Sequence, residues 1–368
     1  NGDNRNNDFT NRAADINPDD IESINILKGP EATALYGIEA GSGAIIITTK
    51  KAKKGKLKVS YDNNFRLTNI YRFPKIQQVY GNGFDGINSN TRLLFGPKYP
   101  EGTTFFDNID NFFQDGFQQK QNITLEGGKK NTAFRGNITY RDETGTVPNT
   151  GLEQLQSRIT INQKVLKNID AILSVAYIKT RNDKALRGAG GFLQNLMLWP
   201  LTNNAKDYLL PDGTRKFFLD PDASGNQPNE ADNPFFETKK NTSYDKTDRG
   251  LFNLTITYDP FDWWNITVRA GADIYSQFGK TYLHPESNQA RTILGQIEDY
   301  TQKFQSYNGG LINTFKKNFG KLHTTWRVGV ANDDWVRKTF AKLGRSLKDS
   351  VSKDISIANT LVTSREVG

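Results

Sequence analysis

From Lys56 onward, apolar and polar residues alternate in runs longer than most soluble strands, and this period of two constrains the fold more than any other feature. Leu57, Val59, Tyr61, Phe65 and Leu67 fall on one parity, while Lys58, Ser60, Asp62, Asn64 and Arg66 fall on the other. The pattern returns at 122–126, 134–141, 155–162, 171–177, 252–258, 264–274, 307–315 and 322–330, which makes about nine strands.

The connections between the runs add a second constraint. Those at 127–131, 165–168, 259–262 and 316–321 are short, and they alternate with mostly long ones at 70–119, 182–243 and 281–300, the one at 145–151 being brief. An up-and-down barrel with short turns at one rim and long loops at the other has this parity. Aromatic residues gather beside the short turns, as in Tyr258, Phe261, Trp263, Trp264, Phe315 and Phe319, where an interfacial girdle would sit. The polar parity carries Arg66, Arg135, Arg141, Arg158, Arg269, Asp273 and Arg327, too many charges for a dry sheet core. Each alone fits an exposed sheet face, but their regularity as a set makes them candidate lumen-facing residues.

Hydropathy is compatible with this reading. The mean hydropathy is −0.65 and no run approaches the roughly 18 apolar residues of a transmembrane helix, but a transmembrane barrel alternates its two faces and hides from such scans. The 368 residues include no Cys, which excludes a disulfide scaffold and a thiolate zinc site and suits an oxidising envelope compartment. A net charge of +8 does not indicate nucleic acid here, because Lys and Arg are spread along strands, turns and loops apart from a cluster at 50–58.

Residues 17–51, NPDDIESINILKGPEATALYGIEAGSGAIIITTKK, have a different texture. Ile21 to Leu27 reads as a short strand stopped by Gly29-Pro30, and Pro30 opens about one and a half turns of helix that Gly37 ends. Gly37, Gly41 and Gly43 mark tightly turning backbone, and the run Ala44 to Thr49 reads as a strand buried on both faces. Lys50, Lys51, Lys53, Lys54 and Lys56 mark its exit into solvent.

This stretch resembles the end of the plug domain of TonB-dependent outer-membrane transporters, and Asn17-Pro18-Asp19-Asp20 makes it most similar to the SusC/RagA branch. The signature positions are Asn17, Pro18, Asp20, Ile21, Leu27, Lys28, Gly29, Pro30, Ala34, Leu35, Tyr36, Gly37 and Gly43, and the resemblance gives them structural roles. YRFPKIQQVYGNG at 71–83, LFGPKYPEG at 94–102 and the segment 107–128 resemble further parts of SusC-like chains.

The resemblance implies an all-β fold, an antiparallel transmembrane β-barrel preceded by part of a small α/β plug. Residues 1–55 would be the C-terminal part of the plug, and residues 56–368 the N-terminal strands and extracellular loops of a barrel of about 22 strands. The implied function is TonB-dependent import of an oligosaccharide or peptide across the outer membrane of a Gram-negative bacterium. A SusC-like channel would work with a SusD-like lid lipoprotein, in contact with outer-membrane lipid, and TonB would act through a region absent from this chain. A siderophore or cobalamin receptor shares the LKGP…ALYG signature and is the alternative; a surface carbohydrate-binding or adhesion β protein is the alternative from another class. Asn1 opens in loop texture and Gly368 carries no terminal strand signal, so missing parts are expected on both sides.

No catalytic constellation accompanies these features, and no enzyme, catalytic residue or cofactor is expected. His284 and His323 belong to no HExxH pattern, and GxSxG and Walker loops are absent. Asp220, Asp222 and Ser224 resemble the first half of an EF-hand calcium loop, but Ala231 stands at the twelfth position and the stretch reads first as a surface turn.

Overall fold

The computed structural model describes residues 12–36, 40–89, 91, 93–186, 191–216 and 231–367. After 3-10 turns at Arg12–Asp15 and Pro18–Asp20, strand β1 (Ile21–Leu27), helix α1 (Gly29–Tyr36) and strand β2 (Ala44–Thr49) form a small unit. β1 and β2 pair antiparallel, with Leu27 opposite Ala44. A Cβ on Gly29 would stand 2.7 Å from the Gly41 carbonyl oxygen, so this close approach requires glycine. Gly43 has φ +105°, a left-handed conformation that also favours glycine. Gly37, the expected helix end, lies outside the described residues.

The expectation that β2 is buried on both faces is corrected. Ile45 is 67% exposed, and Ile26 opposite it and Ile24, opposite Ile47, are exposed as well. A two-stranded sheet covers neither of its own faces, and no described element packs over these three side chains.

β3 (Gly55–Thr68) begins a second, much larger sheet. In the loop after it, β4 (Gly83–Phe84) and β5 (Ile87–Asn88) form a small hairpin and α2 (Asn108–Phe112) follows. The sheet continues through β6 (Gly116–Lys129), β7 (Thr132–Thr144), β8 (Gly151–Leu166) and β9 (Ile169–Lys184). Helices α3 (Phe192–Leu198) and α4 (Pro234–Lys240) precede β10 (Thr242–Phe261), β11 (Trp264–Leu283), β12 (Gln296–Phe319), β13 (Leu322–Leu347) and β14 (Ala358–Val367). Spatial order follows chain order in this ten-stranded antiparallel sheet, with β3 and β14 at its edges.

β14 corrects the expectation of no strand at the C-terminal end. Leu361 and Val362 are neighbours, so the apolar residues fall on both parities and the period of two is lost. The four short connections tighten to two residues each, at 130–131, 167–168, 262–263 and 320–321. Lys130 and Gly320 adopt the positive φ values, 50° and 59°, that such turns need.

The large sheet is inverted relative to a soluble protein. On one face Asn122, Thr124, Asn137, Thr139, Gln156, Thr160 and Thr247 are buried, while on the other Leu57, Val59, Ile123, Ile138, Ile159, Val175 and Val328 are exposed. Buried polar rows with exposed apolar rows are the informative combination, since soluble sheets bury the apolar side. The large apolar core among the described residues lies in the long loops, where Ile109, Phe112, Leu196, Trp199, Ala205 and Phe235 pack together.

Candidate functional site

The polar face of the sheet seats the N-terminal unit, and Asp20 is central to the contact. Asn17 caps the 3-10 turn by accepting from the Asp19 N–H at 3.1 Å, and Pro18 starts the turn with its fixed φ. Held this way, Asp20 points its carboxylate at the wall. Oδ2 accepts from Asn137 Nδ2 at 3.1 Å and lies 3.2 Å from Arg158 Nε, while Oδ1 lies 3.9 Å from Arg135. The Asn17 amide donates to Thr139 Oγ1 at 2.8 Å, and that hydroxyl donates onward to Asn122 Oδ1 at 2.7 Å. Beside them Lys120 pairs with Asp19 at 2.6 Å. Burial raises the Asp20 pKa, and the opposing pull of Arg158, Asn137 and Arg135 is weaker.

A second contact lies at Arg12–Asp15. Arg249 donates to Asp15 Oδ2 at 2.9 Å and to the Arg12 carbonyl at 2.8 Å, and its other nitrogens grip both Asp273 oxygens at 2.9 and 2.7 Å. One guanidinium thus joins the N-terminal turn to two adjacent strands, a geometry that its planar fork permits and a lysine could not copy. Gln156 donates to the Asp15 carbonyl at 2.9 Å. Burial raises the Asp15 pKa despite Arg12 and Arg249 nearby. Further along, Asn162 donates to the Ala52 carbonyl at 2.9 Å, where the chain passes into β3.

All seven residues expected on the polar parity lie on that face, in three groups. Arg135, Arg158 and Asp273 take part in seating the N-terminal unit, whereas Arg66 bonds Gln118 and Arg141 bonds Glu143 along the wall. Arg269 and Arg327 are exposed and form no ion pair among the described residues. Sequence reasoning missed Asp15 and Arg249. The alternation Ser243, Asp245, Thr247, Arg249 carries the polar parity back from Asn253, which is the signal that could have found Arg249. Of the signature positions, Asn17, Pro18 and Asp20 form the seat; Ala34, Leu35 and Tyr36 lie on α1, and Ile21, Leu27 and Lys28 lie in or after β1. Asp220, Asp222 and Ser224 lie outside the described residues, and among those described no group of three or more metal-ligating side chains is assembled.

The long loops are tied together by a second buried polar cluster. Arg215 donates to the Ala231 carbonyl at 2.8 Å and to the Glu286 carbonyl at 2.7 Å, and Asp232 accepts from Ser287 Oγ at 2.7 Å. His284 Nδ1 accepts from the Glu286 N–H at 3.2 Å, which puts the ring proton on Nε2. Burial, with Lys240 nearby, lowers the His284 pKa to about 4, although Asp232 pulls the other way and Lys353 adds to the lowering. Glu237 is raised well above the usual carboxylate range by burial and by Asp232.

These two groups have opposite pH signatures. A depressed histidine stabilises the cluster above its unfolded pKa of 6.5, and that contribution, at most about 3 kcal/mol, is lost as pH falls toward 4. A raised carboxylate does the reverse, stabilising the cluster as pH falls. Glu237→Gln, which keeps the shape and removes the titration, is therefore expected to remove the loss of stability that Glu237 brings as pH rises. In that variant the loops should become protease-sensitive between pH 6.5 and 4, and adding His284→Phe should abolish the transition. Limited proteolysis across that range checks both expectations.

No family model matches the chain. It is 30% identical over 206 residues to TonB-dependent receptor SusC of Bacteroides thetaiotaomicron, a match covering 54% of this chain and 20% of that protein. TonB-dependent receptor P26 of Formosa agariphila is 22% identical over 361 residues, covering 95% of this chain and 34% of the relative. Among solved structures, the RagAB peptide importer in its open-open state matches with a TM-score of 0.72 at 15% identity, over 96% of this chain and 43% of that one. The chain is SusC/RagA-like.

This SusC/RagA-like chain spans about a fifth to a third of the length of these two curated relatives. Its fold matches that of RagAB over 96% of the chain, and here it is a ten-stranded antiparallel sheet with the N-terminal unit seated on its polar face. Exposed apolar rows opposite buried polar rows are the arrangement that a transmembrane β-barrel wall requires, apolar toward lipid and polar toward its interior.

Proposed function

We propose that this chain forms the C-terminal part of the plug, within residues 1–55, and the first barrel strands, within 56–368, of a TonB-driven importer in the outer membrane of a Gram-negative bacterium. Its cargo is an oligosaccharide or a peptide, delivered from a SusD-like lid lipoprotein outside. TonB acts through a region beyond this chain.

The observation that carries this reading is the polar seat of the plug beneath an inverted sheet. A membrane wall must be apolar outside, while a movable plug needs contacts that water can replace. Hydrogen bonds such as Asn17 to Thr139 have that property, since each contributes only about 1 kcal/mol net when water is the alternative partner. A pull transmitted along the chain can undo them in succession. The girdle residues support the orientation. Phe261 and Trp263 stack at 5.4 Å, Trp264 and Phe315 at 5.9 Å, and they sit at the two-residue turns on one rim.

The test is uptake of labelled peptides and oligosaccharides by cells making the complete protein, with and without TonB. Uptake that requires TonB is expected, and uptake indifferent to its loss would overturn the mechanism. A surface lipoprotein that copurifies favours the SusC-type reading over a siderophore or cobalamin receptor.

A further inference from the structure

Lys303 on β12 and Lys338 on β13 stand directly opposite each other in the strand register. They share the parity of Leu311, Phe315, Val330 and Trp326, so both point outward, away from the plug, and both are exposed. Like charges directly opposite on a sheet are destabilising, and an opposite charge beside them would relieve this. Here the flanking outward positions in the same row are Ser276 and Val367, both uncharged. On β12 and β13 the nearest outward acids lie two rows away on either side: above, Asp299 is paired with Lys280 at 3.4 Å and lies opposite a third lysine, Lys342, and below, Asp334 stands opposite Tyr307.

The height of this pair is informative. Both lysines lie twelve residues beyond the girdle residues Phe315 and Trp326 on their own strands. At about 3.3 Å per residue and a tilt of about 40°, that is about 30 Å, just above an apolar band about 25 Å tall. The uncompensated charge therefore sits where the headgroups of the outer leaflet begin.

We propose that Lys303 and Lys338, with Lys342 above them, bind the phosphate of an anionic lipid in the outer leaflet. The phosphate bridges the two facing ammonium groups and relieves their repulsion. Exposed Phe340, with Lys342 Nζ 5.6 Å from its ring, offers an apolar contact for the carbons next to that phosphate. The site rests on the reading of the apolar face as the lipid surface.

The test uses the complete protein in nanodiscs of phosphatidylcholine with a minor share of phosphatidylglycerol, and native mass spectrometry counts the phosphatidylglycerol kept on release. Retention about five-fold weaker for Lys303→Gln or Lys338→Gln alone, and about thirty-fold weaker for both, is expected. Lys164→Gln, on the inward face, should retain lipid as the parent does. Unchanged retention in the double variant overturns the site but not the barrel, as does displacement of the lipid by equimolar inorganic phosphate, which would mark a free-anion site. Failure of the parent protein to enter nanodiscs would overturn the lipid-facing reading itself, and the site with it.

Discussion

If the N-terminal unit is the proposed plug, replacing Asp20 with Arg should release it, whereas replacing Asp20 with Asn should leave it seated. The carboxylate faces Arg158 and Arg135 on a wall where those side chains are 11% and 14% exposed. A third cation there would share with Arg135 the acid that remains beside it, Glu126 at 3.7 Å from Arg135, and a buried charge left uncompensated costs about 3–5 kcal/mol. Asn keeps the shape and can still accept from Asn137. Because burial raises the Asp20 pKa, loss of the charge opposes seating less than its reversal does, and Asn should seat more firmly than Arg. The pH dependence has a definite sign. Seating should weaken as pH rises from the ordinary carboxylate value of 3.8 through the raised one, and Asp20→Asn should remove that slope. Conductance of the complete protein in planar bilayers reads the outcome, since an unseated plug opens the lumen. Asp20→Arg should conduct at a urea concentration lower by on the order of 1–2 M, and Arg158→Glu should restore much of the loss. If Asp20→Asn opens the channel as readily as Asp20→Arg, the charge itself is the anchor and this account of the seat is wrong.

On the proposed barrel reading, how legible this arrangement was depends on depth in the membrane. Within the apolar band each strand would have one face on lipid and one on plug or water, so Leu254 and Ile256 alternate with Asn253 and Thr255 and the strand is readable. Above the band both faces meet water or loops, and the constraint disappears. β10 therefore begins ten residues before the first readable alternation, at Thr242, and β13 runs on to Leu347 although its pattern fades after Val330. The loop core was hidden for another reason, because Phe112, Leu196 and Phe235 meet only through the folded loops. A local signal did exist for α4, where Asn233 caps the helix and Pro234 stands in its first turn. The seven residues of that helix are too few to show a 3.6-residue period. The plug seat was half legible: Asn17, Pro18 and Asp20 were identifiable by resemblance, while their partners Asn137, Thr139 and Arg158 were visible only as members of a polar parity.

That dependence on parity makes a sharp test possible with two neighbouring residues. Leu254 points outward near the middle of the band, in register with Leu173 and Ala270, and Asn253 points inward beside Ser174 and Gly271. Leu254→Arg places a guanidinium in hydrocarbon at a depth where a charge costs about 2–4 kcal/mol, and it should cut the heat-stable folded fraction of the complete protein severalfold. Asn253→Arg places the same group on an exposed inward position that already shares its face with Arg269 and Asp273, and assembly should be close to that of the parent. The two substitutions add the same side chain one residue apart, so net charge and the propensity of the new residue cannot separate them. A soluble sandwich with its core on the Leu254 side would also reject Leu254→Arg, but its detergent-free solubility would distinguish it, because the barrel reading requires Asn253→Arg to remain in the membrane fraction. Equal loss for both variants would mean that the inner face is as dry as the outer one, and a plug seated through water-replaceable contacts could not then slide along it.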